Sequence, residues 1–135
     1  MQRLIFDHYT IKVADLDAST EFYKRVLGLE EITNRTRKSY IRWISMGDGR
    51  ELHIVEGDTH KISTDVGVHL ALRLRDFDSF LNHLKKHNIR KHNSKGEPDQ
   101  ITTRADGIRQ VYFQDLDGYW IEVNEASLLD EDHEV

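Results

Sequence analysis

Hydrophobic and polar residues alternate over residues 8–17, HYTIKVADLD, and do so again over residues 69–78, HLALRLRDFD. The apolar positions of the two stretches are Ile11, Val13, Leu70, Leu72 and Leu74. A period of two is typical of a strand with one buried face. Each stretch ends in an Asp-x-Asp sequence that can cap a following helix. We therefore predict that one unit, a strand followed by a capped helix, is used twice.

The segments between and after these units extend the repeat. Glycine-bounded turns separate further runs of alternating residues, which predict strands. The predicted elements after the first strand are helix Asp17–Leu27 and strands Glu31–Arg37, Tyr40–Met46 and Glu51–Glu56, then strand Val68–Arg75, helix Asp78–His87 and strands Gln100–Ala105, Arg109–Gln114 and Tyr119–Glu125. We predict an α+β fold, one domain over 1–135, with βαβββ modules at 1–57 and 67–126, a connection at 58–66 and an acidic tail at 127–135.

Residues able to bind a metal occupy equivalent positions in the two modules. His8 aligns with His69 on the polar faces of the first strands. DGRELHIVE, residues 48–56, aligns with DGYWIEVNE, residues 117–125, and this places His53 opposite Glu122. Three imidazoles and one carboxylate suit Zn, Ni, Fe, Co or Mn, so we predict one divalent metal per site. The other histidines are predicted to lie on the surface: His60, His83, His87, His92 and His133.

Composition narrows the possible partners. The chain has 135 residues, no cysteine and a formal net charge of −5. Without thiolates, any metal must be held by nitrogen and oxygen. The basic residues are scattered among acidic ones, which argues against a nucleic acid partner. No long apolar run indicates a membrane span, and we expect a cytoplasmic protein.

The motif HxxxxVxDLxxxxxFYxxxLG covers residues 8–28. This motif, with HLALRLRD at 69–76 and DLDGYWIEVNE at 115–125, resembles the vicinal oxygen chelate superfamily. That superfamily includes glyoxalase I, fosfomycin-resistance thiol transferases, methylmalonyl-CoA epimerase, extradiol dioxygenases and the metal-free bleomycin-resistance proteins. The resemblance implies paired βαβββ modules that form a cup-shaped mixed sheet around a metal.

The resemblance also implies a site shared between two chains. His8, His69 and Glu122 match the ligands of the metal-binding members, and His53 stands where bacterial glyoxalase I enzymes usually carry glutamate. By analogy, His8 and His53 of one chain would meet His69 and Glu122 of the other in a homodimer. Lys12 stands where glyoxalase I enzymes usually place a glutathione-binding arginine.

The leading functional hypothesis is a metal-dependent lyase or isomerase of glyoxalase type that acts on a small, hemithioacetal-like carbonyl compound through an enediolate. Glu122 would be the catalytic base, while Lys12 and Arg73 would attract an anionic end of the substrate. Trp120 lies on the same strand face as Glu122 and is available to line the pocket.

Three alternatives remain open at this point. An Fe(II) extradiol dioxygenase needs two histidines and one carboxylate, and rapid oxygen uptake with a catechol would favour it. A thiol transferase that opens an epoxide antibiotic is a second possibility. A small-molecule binding protein of the bleomycin type is the third, and a chain without affinity for Zn, Ni or Fe would favour it.

Overall fold

The structure is a computed structural model that describes residues 1–126. The predicted acidic tail, 127–135, lies outside the described residues. The chain divides into two compact units, the first Met1–Ile62 and the second beginning at Ser63. None of the helices in the described part of the chain is both long enough and apolar enough to cross a membrane.

Each unit has the predicted βαβββ order. The first contains β1 (His8–Val13), α1 (Leu16–Leu27), β2 (Glu31–Ile32), β3 (Ile41–Ser45) and β4 (Glu51–Glu56), and the second contains β5 (His69–Arg73), α2 (Phe77–Lys86), β6 (Thr102–Thr103), β7 (Arg109–Gln114) and β8 (Trp120–Asn124). The strand orders are β1-β4-β3-β2 and β5-β8-β7-β6. In both sheets the first strand pairs in parallel with the last, and the other pairs are antiparallel. The α+β fold with two such modules is confirmed.

The Asp-x-Asp sequences cap the helices as predicted. The Asp15 carboxylate accepts a hydrogen bond from the Ala18 amide at 3.0 Å, and Asp76 accepts one from the Ser79 amide at 3.0 Å. These bonds satisfy amides that the helix itself cannot pair. Helix α1 ends at Gly28, whose φ of 66° suits a residue without a Cβ.

Asp17, the second aspartate of the first Asp-x-Asp sequence, joins α1 to the sheet. Arg42 on β3 donates to Asp17 at 2.7 Å and makes two bonds to Glu31 at 2.8 and 2.7 Å. The hydrogen bonds from Arg42 hold the pKa of Glu31 below its usual value. We call this cluster the first arginine clamp.

The second unit has a corresponding second arginine clamp. Arg109 on β7 donates to Asp78 at 2.9 Å and to Glu125 at 2.7 and 3.0 Å. Its guanidinium also lies 4.9 Å from the centre of the Phe77 ring. Since Asp17 and Asp78 are equivalent in the repeat, both helices are tied to their sheets at the same turn.

One face of each sheet packs against a helix. The buried residues of the first unit's core include Val13, Phe22, Val26, Ile44, Leu52 and Ile54, and those of the second include Phe77, Phe80, Leu84, Val111, Phe113, Ile121 and Val123. Full burial of such a side chain contributes about 1.5–3 kcal/mol. The opposite face of each sheet therefore remains for polar chemistry.

Two strands, β2 and β6, are much shorter than predicted, while β3, β5 and β8 each lack only one to two residues at an end. We expected a strand over Glu31–Arg37, but β2 ends at Ile32. The Asn34 side chain accepts from the Thr36 amide at 2.8 Å and donates to the Ile41 carbonyl at 2.9 Å, so it forms a turn instead. Likewise β6 contains only Thr102–Thr103, where a strand over Gln100–Ala105 was predicted.

Candidate metal centre

The polar face of the first sheet brings two predicted ligands together. Thr10 on β1 pairs with His53 on β4, and His53 in turn pairs with Trp43 on β3. Because cross-strand pairs share a face and alternate residues on a strand do too, His8 lies on this face beside His53. Both histidines are therefore on the face opposite α1.

The rings on this face form a continuous stack. The centroids of the His8 and His53 rings are 4.0 Å apart, with planes inclined by 15°. Trp43 lies on the other side of His53 at 4.2 Å, with planes inclined by only 5°. The Arg35 guanidinium lies 4.6 Å from the Trp43 centroid and completes the series. We call these four side chains the ring stack.

Carboxylates hold both histidines at their edges. Glu51 is 8% exposed, and its Oε1 atom lies 2.9 Å from His53 Nε2. Asp7 lies 2.6 Å from His8 Nδ1. This hydrogen bond is the main reason why the pKa of Asp7 is below its usual value. A carboxylate only accepts, so these contacts place hydrogens on His53 Nε2 and His8 Nδ1.

The polar face of the second sheet surrounds Glu122 with hydrogen-bond donors. Tyr112 donates its hydroxyl to Oε1 at 2.9 Å, while Gln110 and Asn124 donate to Oε2 at 3.0 and 2.7 Å. Glu122 is only 5% exposed. Its carboxylate is thus buried with a partner for each oxygen, which is the condition under which a buried charge is tolerated.

His69 faces the same carboxylate. Its Nδ1 atom lies 2.7 Å from the Val66 carbonyl, and its Nε2 atom lies 3.1 Å from Glu122 Oε1. A carbonyl only accepts, so Nδ1 carries a hydrogen, and Nε2 is the ring nitrogen that faces Glu122. Two ligand atoms that share one cation at about 2.0–2.2 Å, near a right angle, lie about 3 Å apart. The pair therefore fits a divalent metal.

The two ionisable groups at this pair have shifted pKa values. Burial acts to raise the pKa of Glu122, but the hydrogen bonds from Asn124, Gln110 and Tyr112, together with His69, hold it below its usual value. Burial raises the pKa of Tyr112, and its bond to the carboxylate adds to that effect. Glu122 is therefore ionised at neutral pH while Tyr112 keeps its proton.

The structure thus places the four predicted ligands as two pairs, His8 with His53 and His69 with Glu122. Within residues 1–126, no group of three or more histidine, aspartate or glutamate side chains is close enough to hold a metal. Each pair belongs to a different unit. Convergence of the four residues on one ion stays a prediction.

The predicted substrate contacts lie on the same two faces. Lys12 is exposed on β1, and a Cβ added at Gly57 would come 3.3 Å from its Cδ, so the glycine leaves room for the lysine stem. Arg73 is exposed on β5. Trp120 is half-buried, and its ring lies 5.0 Å from that of His92. Contact of these residues with a substrate stays a prediction.

His92 corrects the interpretation of the remaining histidines as surface residues. Its backbone pairs with Tyr112 in both directions, at 2.7 and 2.9 Å, which adds it to the edge of β7. It is half-buried, and its Nδ1 atom is buried without a hydrogen-bond partner among the described residues. His92 therefore lies on the polar face of the second sheet, next to Trp120.

Sequence reasoning missed several residues that support the candidate ligands. They are Asp7, Arg35, Trp43 as a stacking partner, Glu51, Gln110, Tyr112 and Asn124. Two of them carried a usable signal, because Glu51 precedes His53 by two residues and Asn124 follows Glu122 by two. A strand places such residues on one face.

Known proteins resemble this chain over most of its length. The protein YwbC of Bacillus subtilis is 31% identical over 121 residues, which cover 86% of this chain and 93% of YwbC. The metallothiol transferase FosB of Staphylococcus epidermidis is 27% identical, over 92% of this chain and 83% of its own.

Solved structures share the fold. The oxidase ChaP-H2 superposes with a TM-score of 0.76 at 21% identity, over 93% of this chain and 96% of its own. The fosfomycin resistance protein FosX of Listeria monocytogenes superposes with a TM-score of 0.74 at 21% identity, over 100% of both chains. The family model for the Glyoxalase/Bleomycin resistance protein/Dioxygenase superfamily matches residues 5–123. This match confirms the resemblance seen in the sequence: the chain belongs to that superfamily.

Proposed function

We propose that this protein is a divalent-metal-dependent isomerase or lyase of glyoxalase type, acting on a small carbonyl compound with two neighbouring oxygens. The observation that supports it is the His69–Glu122 pair, in which a buried, ionised carboxylate lies 3.1 Å from an imidazole nitrogen. Such a pair suits a cation, and a divalent cation held there would bind substrate oxygens.

His8, His69 and Glu122 would hold the ion. A bound divalent metal supplies a Lewis acid that stabilises negative charge on a substrate oxygen. The Nδ1 hydrogens of His8 and His69 are held by Asp7 and Val66, which leaves Nε2 of each ring as the ligand atom. Acceptors of this kind fix the tautomer and the direction of a ligand histidine.

Glu122 would take the proton from the carbon beside the substrate carbonyl. Its lowered pKa keeps it ionised, as both a ligand and a base require. The electrons of the broken C–H bond would form a carbon–carbon double bond while the carbonyl π electrons move onto oxygen, which gives an enediolate. Return of the proton to the former carbonyl carbon, with transfer of the hydroxyl proton to the former carbonyl oxygen, would complete the isomerisation. Lys12 and Arg73 would attract an anionic end of the substrate.

The test is turnover of the hemithioacetal of methylglyoxal and glutathione by protein loaded with Zn, Ni or Co, followed as thioester absorbance. We expect Glu122→Gln to lower kcat by at least about 100-fold, because an amide cannot take a proton. Glu21→Gln, an exposed change on α1, is the matched control and should turn over normally. Full turnover by metal-loaded Glu122→Gln would contradict the assignment.

The shared site is tested by mixing inactive variants. We propose a homodimer in which His8 of one chain and the His69–Glu122 pair of the other complete each site. His8→Ala and Glu122→Gln chains, unfolded together and refolded, should then form heterodimers with one intact site. Recovered turnover of about one quarter of the wild-type value is expected if chains pair at random. No recovery would show that the sites are formed within single chains.

A metal-dependent thiol transferase is the second candidate. The three donors to Glu122 reduce its basicity, which suits a carboxylate that only holds a metal. The name of the related FosB, metallothiol transferase, points the same way. Fosfomycin incubated with the metal-loaded protein and either glutathione or L-cysteine would show this activity as a thiol adduct by mass spectrometry. Adduct formation without hemithioacetal turnover would replace the first candidate by the second.

A further inference from the structure

The two histidines of the ring stack differ in exposure and in the number of rings that cover them. The His53 side chain is 13% exposed and lies between two rings, with Trp43 on one face and His8 on the other. The His8 side chain is 39% exposed and forms the open end of the stack. An incoming ion can therefore reach the His8 ring far more easily than the His53 ring.

Ring orientation also prevents the two imidazoles from sharing an ion. A metal bound to an imidazole lies close to the ring plane, about 2.0–2.1 Å from the nitrogen. The His8 and His53 planes are 4.0 Å apart at their centroids and converge at only 15°. Planes that are so nearly parallel do not meet within the reach of a metal–nitrogen bond. In this arrangement only one of the two histidines can bind a given ion.

Carboxylates engage opposite nitrogens of the two histidines. The Nδ1 atom of His8 is engaged by Asp7, which leaves Nε2 for a metal, as in His69. His53 has the opposite arrangement, because its Nε2 atom is engaged by Glu51 at 2.9 Å. The same carboxylate also accepts from Arg35 at 3.5 Å, which links the outer end of the stack to its middle.

We infer that His53 is a positioning residue which, clamped between Trp43 and His8, fixes the plane of the His8 imidazole and is not itself a ligand to the ion that His8 binds. This inference rests on the proposed metal site. It changes the predicted ligand set of four to His8, His69 and Glu122, with further positions left for substrate oxygens. Trp43 and Glu51 then act on the site only through His53.

The direct test is a two-dimensional NMR experiment that correlates the ring nitrogens and protons of each histidine in the full-length protein, without metal and with Zn. On Zn addition, Nε2 of His8 and His69 should move to metal-bound shifts. Both His53 nitrogens should keep their shifts, with the hydrogen on Nε2. A metal-bound shift for either His53 nitrogen would overturn this inference and leave the proposed function intact. Failure of the wild-type protein to bind Zn would overturn both.

Substitution of Trp43 tests the positioning role without removing any nitrogen. Trp43→Phe keeps an aromatic ring against His53, whereas Trp43→Leu removes it. We expect Trp43→Leu to weaken Zn affinity by about 10-fold, in the range seen for groups that orient metal ligands, and Trp43→Phe to stay much nearer the wild type. Zn affinity is measured by chelator competition below the melting temperature of both variants. Equal affinities for the two variants would overturn the inference.

Substitution of His53 gives an independent result. His53→Phe keeps an aromatic ring between Trp43 and His8 but removes both nitrogens. It should therefore retain more Zn affinity than His53→Ala, and far more than His8→Ala. If His53 were a ligand, His53→Phe and His53→Ala would lose affinity alike. The Co(II) absorption spectrum of His53→Phe should also match that of the wild type, because the set of ligand atoms is unchanged.

Discussion

Trp43 and Tyr112 hold the same place in the two sheets. Trp43 pairs across its sheet with His53, and Tyr112 pairs with Glu122. In the first unit the aromatic residue acts through the face of its ring, which stacks on an imidazole at 4.2 Å. In the second it acts through its edge, by a hydroxyl that donates to a carboxylate at 2.9 Å.

The difference shows how one backbone can fix two kinds of ligand. The His53 imidazole is held by flat neighbours that restrict its plane, and the Glu51 carboxylate contacts only its edge. A buried carboxylate needs donors, because its charge must be compensated wherever water is excluded. The second unit should therefore depend on hydrogen bonds more strongly than the first.

Removal of the Glu122 carboxylate should give the largest effect. Glu122→Leu leaves the donors of Tyr112, Gln110 and Asn124 without their acceptor, and we expect the free energy of unfolding to fall by about 3 kcal/mol. Denaturant unfolding measures this change. Glu21→Leu on the exposed side of α1 is the control and should stay within about 0.5 kcal/mol of the wild type. A similar value for both variants would mean that the donors do not stabilise the fold.

Removal of one donor should have a smaller effect. Tyr112→Phe keeps the ring and deletes the hydroxyl that bonds Glu122, which should cost about 1–1.5 kcal/mol in denaturant unfolding. Tyr9→Phe deletes a hydroxyl from an exposed ring and serves as the control. If both substitutions lowered the free energy of unfolding equally, the Tyr112 hydroxyl would not be the feature that separates the two units.

The first arginine clamp should give a pH-dependent effect. Arg42 lowers the pKa of Glu31 from the usual 4.5, so the stabilisation is present above pH 4.5 and is lost as the pH falls through the folded-state pKa. At neutral pH, Arg42→Gln should cost about 0.5–1 kcal/mol. The difference from the wild type should narrow in acid when urea unfolding is repeated across pH. A difference that grows in acid would contradict the assigned direction.

The smallest effect is expected at the carboxylate of the ring stack. Glu51→Gln keeps a side-chain oxygen that can accept from His53 Nε2, and the ring contacts are unchanged. We expect the free energy of unfolding to change by no more than about 0.5 kcal/mol. A loss as large as that of Tyr112→Phe would show that the first unit depends on charge as much as the second does.

Local patterns predicted the modules and the sheet faces on which the candidate ligands lie. A period of two determines which face His8 and His69 occupy, and the Asp-x-Asp sequences determine where the helices begin. Both depend on residues close together in the chain. The early end of β2 was missed because Asn34 bonds backbone groups up to seven residues away and so competes with strand pairing.

The supporting residues were harder to predict because they depend on pairing across the sheet. Tyr112 reaches Glu122 only through the register of β7 with β8, and His92 joins that face through a bridge made by a loop. The plane of the His53 ring is set by Trp43 on another strand. A residue's face can be derived from local periodicity, whereas the orientation of its ring requires the packed neighbours.

The two arginine clamps join equivalent helices to their sheets from different strand positions. When Trp43 is aligned with Tyr112, Arg42 corresponds to Val111 and Arg109 corresponds to Tyr40. The two arginines are therefore two positions apart, yet each reaches the equivalent aspartate of its own helix. The contact between strand and helix is thus kept although its basic residue differs by one strand repeat, so the repeat of the two units is more exact at the helix starts than in the strands.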